Sequence, residues 1–232
     1  MAQKQYFFIV DTETTMAETV ADFGGIIVDR NGKIFKDIKV LVSGEFGKKK
    51  LFYNKDSPDS IWTLAGLKRR NENYRNMLNS GDRMLATVNA INKWIDSAKA
   101  AYPNLIFTAY NAEFDLRMCR NTGINIDGFS DIFCLWKASV NKVAKDKKYL
   151  EHCIRRKWLT AKLNFKTSAE PMAEYALGGI ELPPEPHSAY EDIFYYELPI
   201  LLWLVKNKSY LKYSQNGYNW REWQMINLVK PS

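Results

Sequence analysis

Tyr6-Phe7-Phe8-Ile9-Val10-Asp11-Thr12-Glu13-Thr14-Thr15 is the stretch on which the fold turns. Five β-prone apolar residues without a polar interruption predict a strand buried on both faces, in the middle of a sheet covered by helices. Asp11 and Glu13 stand two apart, and side chains alternate along an extended segment, so both acids point to one side of the sheet. Convergent carboxylates at the rim of a core strand are costly unless a cation or a hydrogen-bond network compensates them. The stretch therefore marks a candidate metal site.

Working outward, Asp22 to Val28 resumes a β pattern, and Gly24 and Gly25 inside it signal a bulge or a close backbone approach. Asp29-Arg30-Asn31-Gly32 is a turn into a third strand over Lys33 to Val42, giving an antiparallel meander. A loop over Ser43 to Asp56 precedes Ser57-Pro58, which has the form of an N-cap with proline at the first helical position and predicts a helix ending near Gly81. Apolar residues Leu85, Val88, Ile91, Ile95 and Ala98 predict a second helix over Arg83 to Ala101. Asn104 to Tyr110 is another buried strand. Asn111 is placed to cap a helix from Ala112 to Asn121, with Asp115 in its first turn near the sheet edge where open α/β folds collect ligands. Gly128 to Phe133 makes a fifth strand.

Further on, Thr167-Ser168-Ala169-Glu170 fits a capping box, and Gly178-Gly179 ends the helix it opens. The proline-rich run Glu181 to Pro186 cannot be regular structure and leads to His187. Helical periodicity returns from Ser188, and Pro199 is expected to bend or break it. Asp192 follows His187 by five residues, about 140° round a helix, so His187 is assigned to the loop and Asp192 to the helix. The tail aromatics Tyr210, Tyr213, Tyr218, Trp220 and Trp223, around Asn216-Gly217, are expected to pack on the core as a hairpin or irregular cap.

A chain of 232 residues, 46% hydrophobic and 25% charged, fits one large globular domain, and no apolar run approaches the ~20 residues of a membrane helix. Met1 to Gln5 leads straight into the first strand, so a cytoplasmic location is expected. Cys119, Cys134 and Cys153 are odd in number and lack C-x-x-C spacing, which argues against a disulfide framework or a zinc site. The net charge of +7 has a local origin: Lys137 to Lys166 carries an excess of +8, so the rest of the chain is close to neutral. Such a segment is either a solvated helix face or a contact for a polyanion.

Three signals now stand in order: Asp11-Thr12-Glu13 after a core strand, Asn111-Ala112-Glu113-Phe114-Asp115 at a strand-to-helix turn, and His187-Ser188-Ala189-Tyr190-Glu191-Asp192 opening a late helix. Together they resemble the three motifs of the DEDDh group of 3′-to-5′ exonucleases, which includes the proofreading subunit of bacterial DNA polymerase III, RNase T and oligoribonuclease. The resemblance implies an α/β, RNase H-like fold with a mixed five-stranded sheet flanked by helices, a catalytic domain over 1–206 with a basic helical insertion near 137–166, and a C-terminal extension over 207–232. Carried over residue by residue, it makes Asp11, Glu13, Asp115 and Asp192 ligands of two Mg²⁺ or Mn²⁺ ions and His187 the general base. Thr12, Met16, Asn111 and Phe114 become substrate contacts. The implied substrate is a single-stranded 3′ end, DNA favoured over RNA, with room for a polymerase or replication partner and no membrane role. An exoribonuclease of RNase T type and a non-catalytic binding module on the same fold are the alternatives. The long basic insertion and Pro199 depart from the pattern.

Overall fold

The computed structural model describes residues 4–57, 59–143, 146–206 and 210–212. Its centre is β1, Tyr6–Thr14, flanked antiparallel by β2, Val20–Asp29, and parallel by β5, Leu105–Ala109. The sheet extends through β3, Ile34–Val42, and β4, Met84–Ala86, on one side and β6, Asp131–Cys134, on the other, in the order β4-β3-β2-β1-β5-β6. The fold is thus α/β with a six-stranded mixed sheet whose first three strands form the expected antiparallel meander. The sixth strand is β4, which lies inside the helix expected from Arg83. Three residues of helix-forming type, with Met84 and Leu85 exposed at the sheet edge, carry no alternation to read, and only parallel pairing with Val40 to Val42 makes them a strand.

Because β1 side chains alternate, it supplies two cores. Phe7 and Ile9 pack with α4 (Leu135–Val143), α5 (Lys147–Arg156), α6 (Ala169–Ala176) and α8 (Leu198–Val205). Phe8 and Val10 face α2 (Val88–Ala101) and α3 (Ala112–Thr122). Another helix, α1 (Leu64–Ser80), covers a smaller cluster of Ala21, Leu41, Leu51 and Tyr74. Among the described residues no helix is long and apolar enough to cross a membrane.

Several expected ends shift. The first long helix starts at Leu64 with Thr63 as its cap, after a turn over Ser60–Trp62, and Pro58 lies outside the described residues. Asn111 adopts the left-handed conformation at φ 67° and caps α3 without a side-chain hydrogen bond. Ser168, not Thr167, precedes α6, again without the side-chain bond of a capping box. Pro199 does not break its helix. A five-residue π-turn, Ile193–Glu197, runs between α7 (Ala189–Asp192) and α8, closed by Leu198 N–H donating to the Ile193 carbonyl. Proline lacks an N–H and its ring crowds the carbonyl four residues back, and the wider turn just ahead accommodates it in the first turn of α8. Of the tail, Tyr210 is buried against Phe7 and Phe133 and donates to Gln5 at 2.6 Å, while Tyr213, Asn216, Gly217, Tyr218, Trp220 and Trp223 lie outside the described residues.

The close approach expected at the β2 glycines is present. A Cβ on Gly24 would lie 2.7 Å from the backbone of Ala189 and Tyr190, so α7 rests on β2 where only a hydrogen fits. Gly24 pairs with Asp11, so this contact brings α7 down beside the first acid. Gly24→Ala must push α7 outward and is expected to cost ~1–3 kcal/mol, the usual range for overpacking, measurable by urea unfolding.

Candidate functional site

β1 continues through the acids rather than ending before them, and its pairing with β2 slips between Glu13 and Thr14. Asp11 and Glu13 therefore share the face of Phe7 and Ile9, as expected, and where the pairing slips Ala21 is the extra residue on β2. Thr12 points to the opposite face, where its hydroxyl donates to Asp115 Oδ1 at 2.8 Å from the first turn of α3. His187 occupies the loop at φ 52°, and Asp192 lies on α7, where its Oδ2 accepts from Ser188 N–H at 2.9 Å. Ligand atoms of Glu13, His187 and Asp192 lie within 4.8 Å of one another.

Burial and mutual repulsion govern the acids. Burial, then the charges of Glu197, Asp115, Asp192 and Glu13, holds Asp11 well above the carboxylate range. Burial pushes Glu13 up to about 8 against the pull of Arg70, and Asp115 up to about 7 against the hydrogen bond from Thr12. Asp192 is raised by burial and then by Glu185 and Glu13. Arg70 Nη1, 3.9 Å from Glu13 Oε2, is a weak counterweight for so many acids. Buried oxygen donors of one sign, with Asp192 Oδ1 lacking a hydrogen-bond partner among the described residues, suit hard divalent cations such as Mg²⁺ or Mn²⁺.

His187 is held in its neutral form. Its ring packs on Trp62 at 4.6 Å, and burial, followed by the charge of Arg70, lowers it to about 4. An ordinary histidine would lose its base form below about pH 6.5, whereas this one retains it further into acid.

Ion-free stability should register these shifts. Glu13 at about 8, with Asp115 and Glu185 at about 7, sits above the unfolded carboxylate value of about 4. Each raised acid stabilises the fold fully below about pH 4 and loses that contribution as pH rises through 7–8. His187 acts oppositely, withdrawing stability as pH falls from about 6.5 to 4. In EDTA the Tm is expected to drop by more than about 5 °C between pH 6.5 and 8, with Mn²⁺ reversing the drop. A Tm flat over that interval in differential scanning fluorimetry would contradict the assigned environments.

Part of the site escaped sequence reasoning. Asp22 accepts from Ala189 N–H at 3.0 Å and from Arg83 Nε at 3.2 Å, and the Arg83 guanidinium also grips Glu191. Arg83 is fully buried, pinning α7 to β2. Glu185 and Glu197 add two more carboxylates beside Asp11 and Asp192. No local signal marks these residues, because their partners lie far off in the chain.

A cleft of about 1000 Å³ opens over Glu13 and His187, lined by Thr12, Met16, Phe52, Trp62, Phe114 and Trp136. Thr12, Met16 and Phe114 thus meet there, and Asn111 lines a smaller neighbouring cavity with Asp11. The basic segment is partly consumed internally: Lys137 pairs with Glu113, Lys142 donates to the Trp203 carbonyl, and Arg156 binds Glu174 and Glu181. Lys147, Lys148, Arg155, Lys157 and Lys162 are exposed, and Lys166 reaches the cleft. No protein-family model matches the chain, and no curated protein matches it.

Proposed function

We propose that the chain is a metal-dependent 3′-to-5′ exonuclease of RNase H-like fold that releases 5′-mononucleotides from single-stranded nucleic acid, DNA above RNA. The observation that carries this reading is the meeting of Glu13, His187 and Asp192 within 4.8 Å, with Asp11 and Asp115 near enough for their charges to be felt there, beside an aromatic-lined cleft that Glu13 and His187 border.

Asp11, Glu13, Asp115 and Asp192 are the residues that would hold the cations. When bound, two divalent ions would supply charge compensation on the phosphoryl group and the departing alkoxide, and would lower the pKa of a bound water. His187 takes the proton of the attacking water on an imidazole nitrogen, its unprotonated form being secured by burial and by Arg70. Thr12 keeps Asp115 oriented through its hydroxyl. Met16 and Phe114 form apolar walls for terminal bases, and Phe52 and Trp62 offer stacking faces.

Glu18, Asp59, Glu170 and Glu185 also border the cleft, with Lys166 the one cation among its described lining residues. Stacking therefore contributes more to substrate affinity here than phosphate contacts do. Phe52→Ala is expected to weaken binding of a short single strand by ~1–3 kcal/mol, read by fluorescence anisotropy in Ca²⁺. Unchanged affinity would remove Phe52 from the substrate path. The overall reading is tested by a product time course on 3′- and 5′-labelled DNA and RNA with Mg²⁺, Mn²⁺ or EDTA. Mononucleotides released from the 3′ end only when metal is present support it, and the ratio of DNA to RNA rates decides the substrate class. Absence of metal-stimulated cleavage on either polymer rejects it.

A further inference from the structure

Glu197 plays no part in the three motifs, yet it is the first charge felt by Asp11. It is 3% exposed and reaches the site through the π-turn. In a regular α-helix a residue five positions after Asp192 points about 140° away. The i to i+5 bonding of the π-turn reduces that divergence and brings Glu197 round toward the acids.

There Tyr110 N–H donates to Glu197 Oε1 at 2.9 Å, so the carboxyl is aimed by β5's exit. The other oxygen, Oε2, is buried without a hydrogen-bond partner among the described residues, as is Oδ1 of Asp192. Both residues line a cavity of about 400 Å³ together with Asp11, Glu185 and Asn111, and it shares Trp136, Thr167, Ser168 and Glu185 with the wide cleft. A hard divalent cation in this cavity would engage both oxygens, whereas a proton shared between carboxyl groups would leave Mn²⁺ affinity untouched.

We propose that Glu197 is a direct ligand of a divalent cation held in this cavity beside Asp192, a carboxylate beyond the four of the motifs. The inference rests on the metal-site reading above and extends its ligand set. An extra anionic ligand raises the affinity of this position, so the ion stays bound without nucleic acid to complete its shell. Glu185, on the proline-rich loop, borders the same cavity and is not required for the assignment.

The test uses the full chain, Mn²⁺ and no nucleic acid. Isothermal titration and the loss of free-Mn²⁺ EPR signal should give two ions per parent chain. Glu197→Gln keeps an oxygen for Tyr110 N–H but removes the charge, and should weaken one of the two sites by at least ~10-fold. Its Tm in EDTA should equal or exceed the parent's, while its Mn²⁺-induced rise in Tm is smaller. Glu197→Asp, which keeps the charge, should bind Mn²⁺ more tightly than Glu197→Gln does. A purely structural Glu197 would shift Tm equally with and without Mn²⁺ and leave the isotherm unchanged, and that result overturns the proposal. Should the parent bind two ions and cleave while Glu197→Gln binds identically, only the role of Glu197 falls. If the parent binds no Mn²⁺, the metal-site reading falls with it.

Discussion

Asp11→Asn is expected to abolish metal-stimulated release of nucleotides while making the ion-free protein more stable. The catalytic loss should exceed the ~10–100-fold that follows removal of a residue merely supporting a metal ligand. Asp11 sits on the central strand, feels Glu197, Asp115, Asp192 and Glu13 together, and lines the cavity shared with Asp192. The same crowding makes its charge expensive without cations, so a neutral isostere relieves repulsion and raises the Tm in EDTA. Opposite signs for activity and stability are the mark of a site that carries strain for function. Paired rate measurements and thermal melts on parent and variant check both. A variant that degrades a labelled strand at the parent rate would end the proposed mechanism.

Arg83→Leu carries the largest expected cost in stability, ~3–5 kcal/mol, because it strips the cation from a buried carboxylate. Asp22 and Arg83 are both fully buried, and Asp22 also holds the first N–H of α7. Loss of the guanidinium strips the counter-charge from Asp22, which burial already raises, so Asp22 must stay ionised in a low-dielectric interior or take up a proton, and it frees Glu191, so α7 loosens where it carries Asp192. Urea unfolding should register the cost, and the hydrolytic rate should fall although no side chain of the acid cluster has been altered. Adding Asp22→Asn keeps an oxygen for Ala189 N–H and removes the stranded charge. The double variant should therefore be more stable than Arg83→Leu alone. If it is not, an unpaired charge is not the source of the loss.

Local patterns along the chain were enough for the central strand, the meander, the two-residue spacing that puts Asp11 and Glu13 on one face, and the division of His187 from Asp192 between loop and helix. Each of those follows from periodicity or from a backbone rule that acts over a few residues, so it is written locally. Chain closure, by contrast, makes Met84 to Ala86 a strand, since three helix-forming residues, two of them exposed, become one through pairing with β3. It alone decided that Gly24 exists to admit α7, that Arg83 and Asp22 hold that helix, and that a π-turn both accommodates Pro199 and turns Glu197 into the acid cluster. Those properties belong to pairs of residues tens to more than a hundred positions apart, and burial, which sets every shifted acid in the site, has no value until the chain has closed around it.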